Sequence, residues 1–160
     1  MSFPNEAAIL QLTASLRDRR YTVGFGESCT GGLLSARMAA LAGVSDVFMG
    51  SVVSYSYAAK VDLLGVKWET LNEQGAVSEQ VALEMARGVC EKLKANCAIA
   101  VTGIAGPSGG TPEKPVGTVW IAVKGPRFEV AEKFVFSGDR LEIQSQSTTS
   151  ALALLQKNLV

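Results

Sequence analysis

Ser28 lies in the run Gly26-Glu27-Ser28-Cys29-Thr30-Gly31-Gly32, between an apolar stretch ending at Phe25 and the helical pattern Leu33-Leu34-Ser35-Ala36-Arg37-Met38-Ala39-Ala40. Free N–H groups at a helix N-terminus stabilise negative charge, so a serine at a strand-to-helix junction can act as a nucleophile with oxyanion donors beside it. In that reading Glu27, Cys29, Thr30, Gly31 and Gly32 surround the substrate. The chain has no histidine, which excludes a Ser-His-Asp triad and any histidine-ligated metal within it. Another residue must then serve as base. Lys60, in Ser54-Tyr55-Ser56-Tyr57-Ala58-Ala59-Lys60, fits if burial lowers its pKa towards neutrality, with Tyr55 orienting the amine or relaying a proton. Each residue also has a structural reading: Ser28 as a helix N-cap, Lys60 as a solvated lysine. Cys29 is a further candidate nucleophile, because a helix N-terminus lowers a thiol pKa, or else a small core residue. Glu27 is placed to hold Lys60 or a substrate hydroxyl.

A second loop, Thr102-Gly103-Ile104-Ala105-Gly106-Pro107-Ser108-Gly109-Gly110, carries four glycines and one proline in nine residues. Its backbone N–H groups and the Thr102 hydroxyl are the ingredients of an oxyanion or phosphate nest, and Gly103 and Gly106 allow a ligand to approach the backbone. It is neither GxGxxG nor a P-loop; a plain long turn is the other reading. Arg140, just after Ser137-Gly138-Asp139, is an anion contact or a partner for Asp139.

These residues need elements to position them. Ile9, Leu12 and Leu16 give Asn5 to Arg19 a helical face. Tyr21 to Phe25 reads as a short strand, Thr30 to Leu41 as the helix after it, Val47 to Tyr55 as a buried strand, and Tyr57 to Leu64 as a short helix stopped by Gly65. Ser78 caps a helix whose buried stripe is Val81, Met85, Val89 and Leu93. Ala98 to Val101 is a buried strand. Val116 to Val123 and Phe128 to Phe136 flank Gly125-Pro126 and form an antiparallel hairpin. Asp139 and Glu142 make a capping box for the last helix. Trp68 and Trp120 read as core residues. The sum is an α/β chain with a mixed sheet covered by helices on both faces, whose three loops, Glu27–Gly32, Ser54–Lys60 and Thr102–Gly110, meet at the C-terminal ends of strands.

At 160 residues the chain has the length of one domain. Lys plus Arg and Asp plus Glu balance at 15 each, which gives no general case for nucleic acid or an anionic membrane as partner. Cys29, Cys90 and Cys97 are an odd number without a CxxC pair, as suits a reducing compartment. No apolar run approaches a membrane span, and Met1 to Glu6 lacks the basic region of a signal peptide. The cytoplasm is the expected location.

Six ordered segments resemble the CinA carboxy-terminal domain family: Glu27-Ser28-Cys29-Thr30-Gly31-Gly32, Tyr55-Ser56-x-x-x-Lys60, Gly75-Ala76-Val77-Ser78, Thr102-Gly103-Ile104-Ala105-Gly106-Pro107, Lys114-Pro115-Val116-Gly117-Thr118-Val119 and Phe136-Ser137-Gly138-Asp139-Arg140. The resemblance runs from about Leu10 to Leu155. It implies a three-layer α/β/α sandwich with a mixed, mostly parallel sheet ending in an antiparallel hairpin, and a homodimer. It also implies deamidation of nicotinamide mononucleotide to nicotinate mononucleotide and ammonia, without metal or organic cofactor. The family's serine–lysine pair falls on Ser28 and Lys60, with Tyr55 and Thr102 in support. The sequence departs from the family pattern where Tyr57 replaces an asparagine, Gln144 stands in a neighbourhood that usually holds an arginine, and Ser108 replaces an aspartate or glycine. Tyr57 would fill space needed by substrate or lysine, and the missing cation would weaken phosphate binding. A relative that has lost the reaction, or changed substrate, and serves as a nucleotide-binding or interaction protein is the alternative.

Overall fold

A computed structural model describes residues 5–159; Met1 to Pro4, part of the segment weighed above as a signal peptide, lie outside them. The elements are α1 (Glu6–Arg19), β1 (Val23–Glu27), α2 (Leu33–Ala39), β2 (Phe48–Val53), α3 (Tyr57–Leu64), α4 (Trp68–Gln74), α5 (Glu79–Leu93), β3 (Cys97–Gly103), β4 (Thr118–Gly125), β5 (Phe128–Val135) and α6 (Arg140–Asn158). The five strands lie in the order β2-β1-β3-β4-β5. β1 pairs in parallel with both β2 and β3, whereas β3–β4 and β4–β5 are antiparallel. The parallel core with an antiparallel end is the mixed α/β sheet that the alternation of elements implies.

Side-chain alternation along the strands explains the layering. Val23 and Phe25 of β1, with Ile99 and Val101 of β3 and Val119, Ile121 and Val123 of β4, face a core closed by α1, α2 and α6. The opposite face is built from small residues. Ala98, Ala100 and Ala122 pack against Val81, Met85 and Val89 of α5, with Leu64 and Leu71 from α3 and α4. A Cβ at Gly24 would lie 2.8 Å from Leu93 Cδ1 and one at Gly26 3.0 Å from Val89 Cγ2, so glycine at both positions lets α5 lie close on β1. Gly88 does the same between helices: a Cβ there would run into the Leu64 carbonyl at the end of α3. This contact seats the helix that carries Lys60.

Several sequence expectations shift. β1 runs two residues later than Tyr21–Phe25, which brings Glu27 into the strand and Ser28 directly to its end. α2 is shorter than Thr30–Leu41, because Gly31 (φ 58°) and Gly32 (φ 105°) take left-handed backbone and delay helix entry. β2 is an edge strand, with Met49 and Val53 exposed; apolar content signalled a strand there but not its place in the sheet. α4 was not anticipated. Trp68 opens it and is 45% exposed rather than in the core, while Trp120 is partly buried against the α5-side core. The Ser78 cap, the α3 limits and the Asp139–Glu142 capping box are as the residue pattern implies.

Candidate active site

The C-terminal ends of β1, β2 and β3 lead into the three loops singled out by composition, and these enclose a pocket of about 260 Å³. Ser28, Cys29, Tyr55 and Lys60 line one side; Thr102 to Gly106, Ser108 and Gly109 line the other. Ala76 and Val77 form a wall between them, and Arg140 closes the pocket from α6. Position at strand C-termini is where sites of open α/β sheets gather.

Lys60 is 1% exposed, and its Nζ lies 2.8 Å from Ser28 Oγ. The same nitrogen donates to Ser54 O at 2.8 Å and Tyr55 O at 3.1 Å. The amine has no carboxylate partner among the described residues. Burial therefore dominates and lowers its pKa from 10.5 to about 8, slightly opposed by Cys29. The neutral form has two N–H bonds and one lone pair. The carbonyls of Ser54 and Tyr55 take the two hydrogens, which turns the lone pair to the Ser28 hydroxyl. The solvated-lysine reading is overturned, since the sheet end, α3 and the Ser54–Tyr55 turn enclose the whole side chain.

Ser28 does not cap α2. Gly32 occupies that position, and Ser28 is held by its own N–H to Val101 O at 3.0 Å and by Gly31 N–H to Ser28 O at 3.0 Å. Cys29 borders the pocket but burial pushes its thiol up to about 12, which keeps it protonated and unsuited to attack.

Glu27 holds neither Lys60 nor anything in the pocket. It is fully buried, and alternation along β1 turns it towards α2. It accepts from Thr30 Oγ1 at 2.8 Å, Leu34 N at 2.9 Å, Ser35 N at 3.1 Å and Ser51 Oγ at 2.9 Å. The carboxylate thus meets the positive end of α2 and ties it to β1 and β2. Two consequences follow. Thr30, Gly31 and Gly32 are absent from the pocket wall, and they act by shaping the turn. The first three N–H groups of α2 are spent, Leu33 on Thr30 O and Leu34 and Ser35 on Glu27, and cannot serve an oxyanion. The N–H of Cys29 bonds to no other residue among the described ones and meets only its own thiol; it is the backbone donor that follows Ser28.

Thr102 is buried and its Oγ1 donates to Ala76 O at 2.9 Å, so it braces the wall opposite the nucleophile. Tyr57 lies outside the pocket lining; its phenol oxygen accepts from Ala76 N at 3.3 Å. Ala76 is thereby held through both its N–H and its C=O. Ala76 lies in the Gly75–Ser78 segment that the family resemblance marks, but nothing in the residue types there foretells that its two backbone groups are held. Arg140 donates to Gly106 O at 2.6 Å and to Tyr55 Oη at 2.8 Å, both neutral acceptors. It forms no ion pair among the described residues, and Asp139 is occupied in capping α6. Its positive charge therefore remains available to a ligand. Gln144, one turn further along α6, donates to Cys29 O at 2.9 Å. Among the described residues no three His, Cys, Asp or Glu side chains gather to hold a metal ion, and no helix is long and apolar enough to cross a membrane.

A family model described as CinA C-terminal domain matches residues 5–159. The CinA-like protein of Fervidobacterium nodosum is 49% identical over 140 residues, which are 88% of this chain and 34% of that protein. The CinA-like protein of Syntrophobacter fumaroxidans is 49% identical over 144 residues, 90% of this chain and 34% of that one. The chain thus spans about a third of the length of these curated relatives. Among solved structures, the competence/damage inducible protein CihA from Agrobacterium tumefaciens superposes with a TM-score of 0.95 at 40% identity, covering 99% of both chains. The competence damage-inducible protein A (ComA) of Klebsiella pneumoniae gives 0.92 at 35% identity, over 96% of this chain and 95% of that one. The chain belongs to the CinA C-terminal domain family.

Proposed function

We propose that this member of the CinA C-terminal domain family is an amidohydrolase that converts nicotinamide mononucleotide to nicotinate mononucleotide and ammonia, with Ser28 as nucleophile and Lys60 as its base. The observation that carries the reading is the buried amine 2.8 Å from a serine hydroxyl, its hydrogens spent on two backbone carbonyls and its pKa lowered to about 8. An uncharged lysine in that setting accepts a serine proton as imidazole does in the triad enzymes.

In the first half-reaction Nζ takes the Ser28 proton as Oγ bonds to the carboxamide carbon. The Cys29 N–H receives the developing oxyanion. The Lys60 ammonium then protonates the departing nitrogen, which leaves as ammonia, and an ester to Ser28 remains. In the second half-reaction Lys60 takes a proton from water as it attacks the ester. Collapse of that intermediate returns the proton from Lys60 to Ser28 Oγ and gives the carboxylic acid, which loses its own proton to solvent. Arg140, which has no counter-charge among the described residues, binds the substrate phosphate in this reading. Tyr55 holds Arg140 through its phenol and Lys60 through its carbonyl.

Tyr57 lies against the outside of the Ala76 wall and leaves the pocket open, which removes one ground for reading the chain as a lapsed enzyme. The test is ammonia release from nicotinamide mononucleotide by the parent and by Ser28→Ala and Lys60→Ala. Loss in both variants supports the pair. Activity surviving in Ser28→Ala rejects it, and a folded but inactive parent rejects the substrate.

A further inference from the structure

The residue after the nucleophile is fixed from both sides. The Ser28–Cys29 peptide is set by the Gly31 N–H, which donates to Ser28 O at 3.0 Å. The Cys29–Thr30 peptide has no such partner on its own loop; its carbonyl accepts from Gln144 Nε2 at 2.9 Å, across 115 positions of sequence. Peptide planarity makes each carbonyl's direction dictate that of the N–H on the same plane. With both planes held, Cys29, which is 4% exposed, has a fixed N–H that bonds to no other residue among the described ones and meets only its own thiol. A buried N–H that no other residue accepts stays open to a ligand atom bonded to Ser28 Oγ.

We propose that Gln144 is a positioning residue for catalysis: its side-chain amide clamps the Cys29 carbonyl and so, together with the Gly31 N–H on Ser28 O, fixes both peptides of Cys29 and with them the N–H that stabilises the oxyanion. This rests on the serine–lysine reading above. Gln144 is absent from the pocket lining and acts through the backbone of Cys29. It stands four residues after Arg140 on one face of α6, so one helix end supplies both a pocket cation and the clamp. The transition state gains from a rigid donor where the ground state does not, and the effect therefore belongs in kcat more than in KM.

The experiment compares the parent with Gln144→Leu, Gln144→Glu and Gln144→Arg by two readouts, both on protein verified as folded by its thermal transition. One is kcat and KM for ammonia release from nicotinamide mononucleotide. The other is the rate at which an alkyl fluorophosphonate modifies Ser28, where an Oγ–P bond forms, fluoride leaves and Lys60 takes the serine proton. Leucine and glutamate, which cannot donate, should each lower kcat and the modification rate at least tenfold with KM within about threefold. Arginine, which can donate to the same carbonyl, should recover most of the loss. Unchanged rates in Gln144→Leu, or arginine as damaging as leucine, overturn the proposal. A parent that the fluorophosphonate modifies but that releases no ammonia rejects the substrate while the modification rates still decide the role of Gln144. A parent unmodified at Ser28 overturns the serine–lysine reading and this proposal together.

Discussion

Lys60 has three oxygen neighbours within hydrogen-bond reach and, when uncharged, only two hydrogens, so its protonation state decides which way the Ser28 hydroxyl points. Hydrolysis needs the neutral amine. The kcat/KM for amide release should therefore rise with pH through an apparent pKa of about 8 and level off above it, and Ser28→Ala should lower kcat by about 10⁴-fold or more. The same group gives a stability signature of definite sign. Its folded pKa of about 8 lies below the ordinary 10.5, so between those values the unfolded chain binds more protons than the folded one. The Lys60 contribution to stability rises with pH across that window, by roughly 3 kcal/mol at most, and the gain is absent below pH 8, where the buried amine is charged. The thiols of Cys29 and Cys97, held up to about 12 by burial, act with the opposite sign above pH 9. Lys60→Met should lose the rising contribution and keep the fall; the difference between the two proteins in denaturant unfolding from pH 7 to 10.5 measures it. At this scale the sequence was informative in proportion to local constraint. An absent histidine and a serine among glycines pointed to Ser28 and Lys60. The same neighbourhood misdirected Glu27, because side-chain direction depends on where the strand ends, and β1 ends two residues later than its apolar run implies.

At the scale of elements, seating matters more than propensity. α3 puts Lys60 beneath the sheet end only because Gly88 of α5 admits the Leu64 carbonyl. Gly88→Ala should destabilise the fold by about 2–4 kcal/mol, by the overpacking it forces. It should also slow hydrolysis more than a surface change of equal stability cost, since relief must come by lifting α3. Urea unfolding together with kcat at a temperature where both proteins are folded separates the two effects. At the start of α6, Asp139→Ala removes half of a capping box and should cost about 1 kcal/mol. Because Arg140 is the first residue of that helix, KM for a phosphate-bearing substrate should rise more than kcat falls. Caps of this kind are legible in sequence because they are local: Ser78, Asp139 and Glu142 each act within one turn. The edge position of β2 and the presence of α4 were not, since both follow from what the remaining elements leave uncovered.

Across the whole molecule, two cores share one sheet, and β1 and β3 send their large side chains one way and their small ones the other, while β4 adds Trp120 to the small-residue side. Loss of either core removes support from the other, so unfolding should be two-state. In Trp68→Phe the remaining indole, Trp120, lies in β4 next to the antiparallel edge. Its fluorescence midpoint in denaturant should coincide with that of far-UV circular dichroism, and separated midpoints would show the cores to be independent. The layer order was readable from alternating strands and helices, and Ala76 and Gln144 stand in segments that the family resemblance marks, whereas their contacts with Thr102, Tyr57 and Cys29 were not readable, because each spans a long sequence separation and ends on a backbone group. Lys60 presents the opposite case. The two carbonyls that receive its hydrogens, the Ser56 cap that starts its helix and the amine itself all lie in the seven residues from Ser54 to Lys60. The hydrogen bonding of the proton acceptor is thus a self-contained cassette. That geometry is inherited with one short stretch of chain, whereas the basicity is set by the fold that buries the amine, so a graft behind another nucleophile must bring a cover as well as the seven residues.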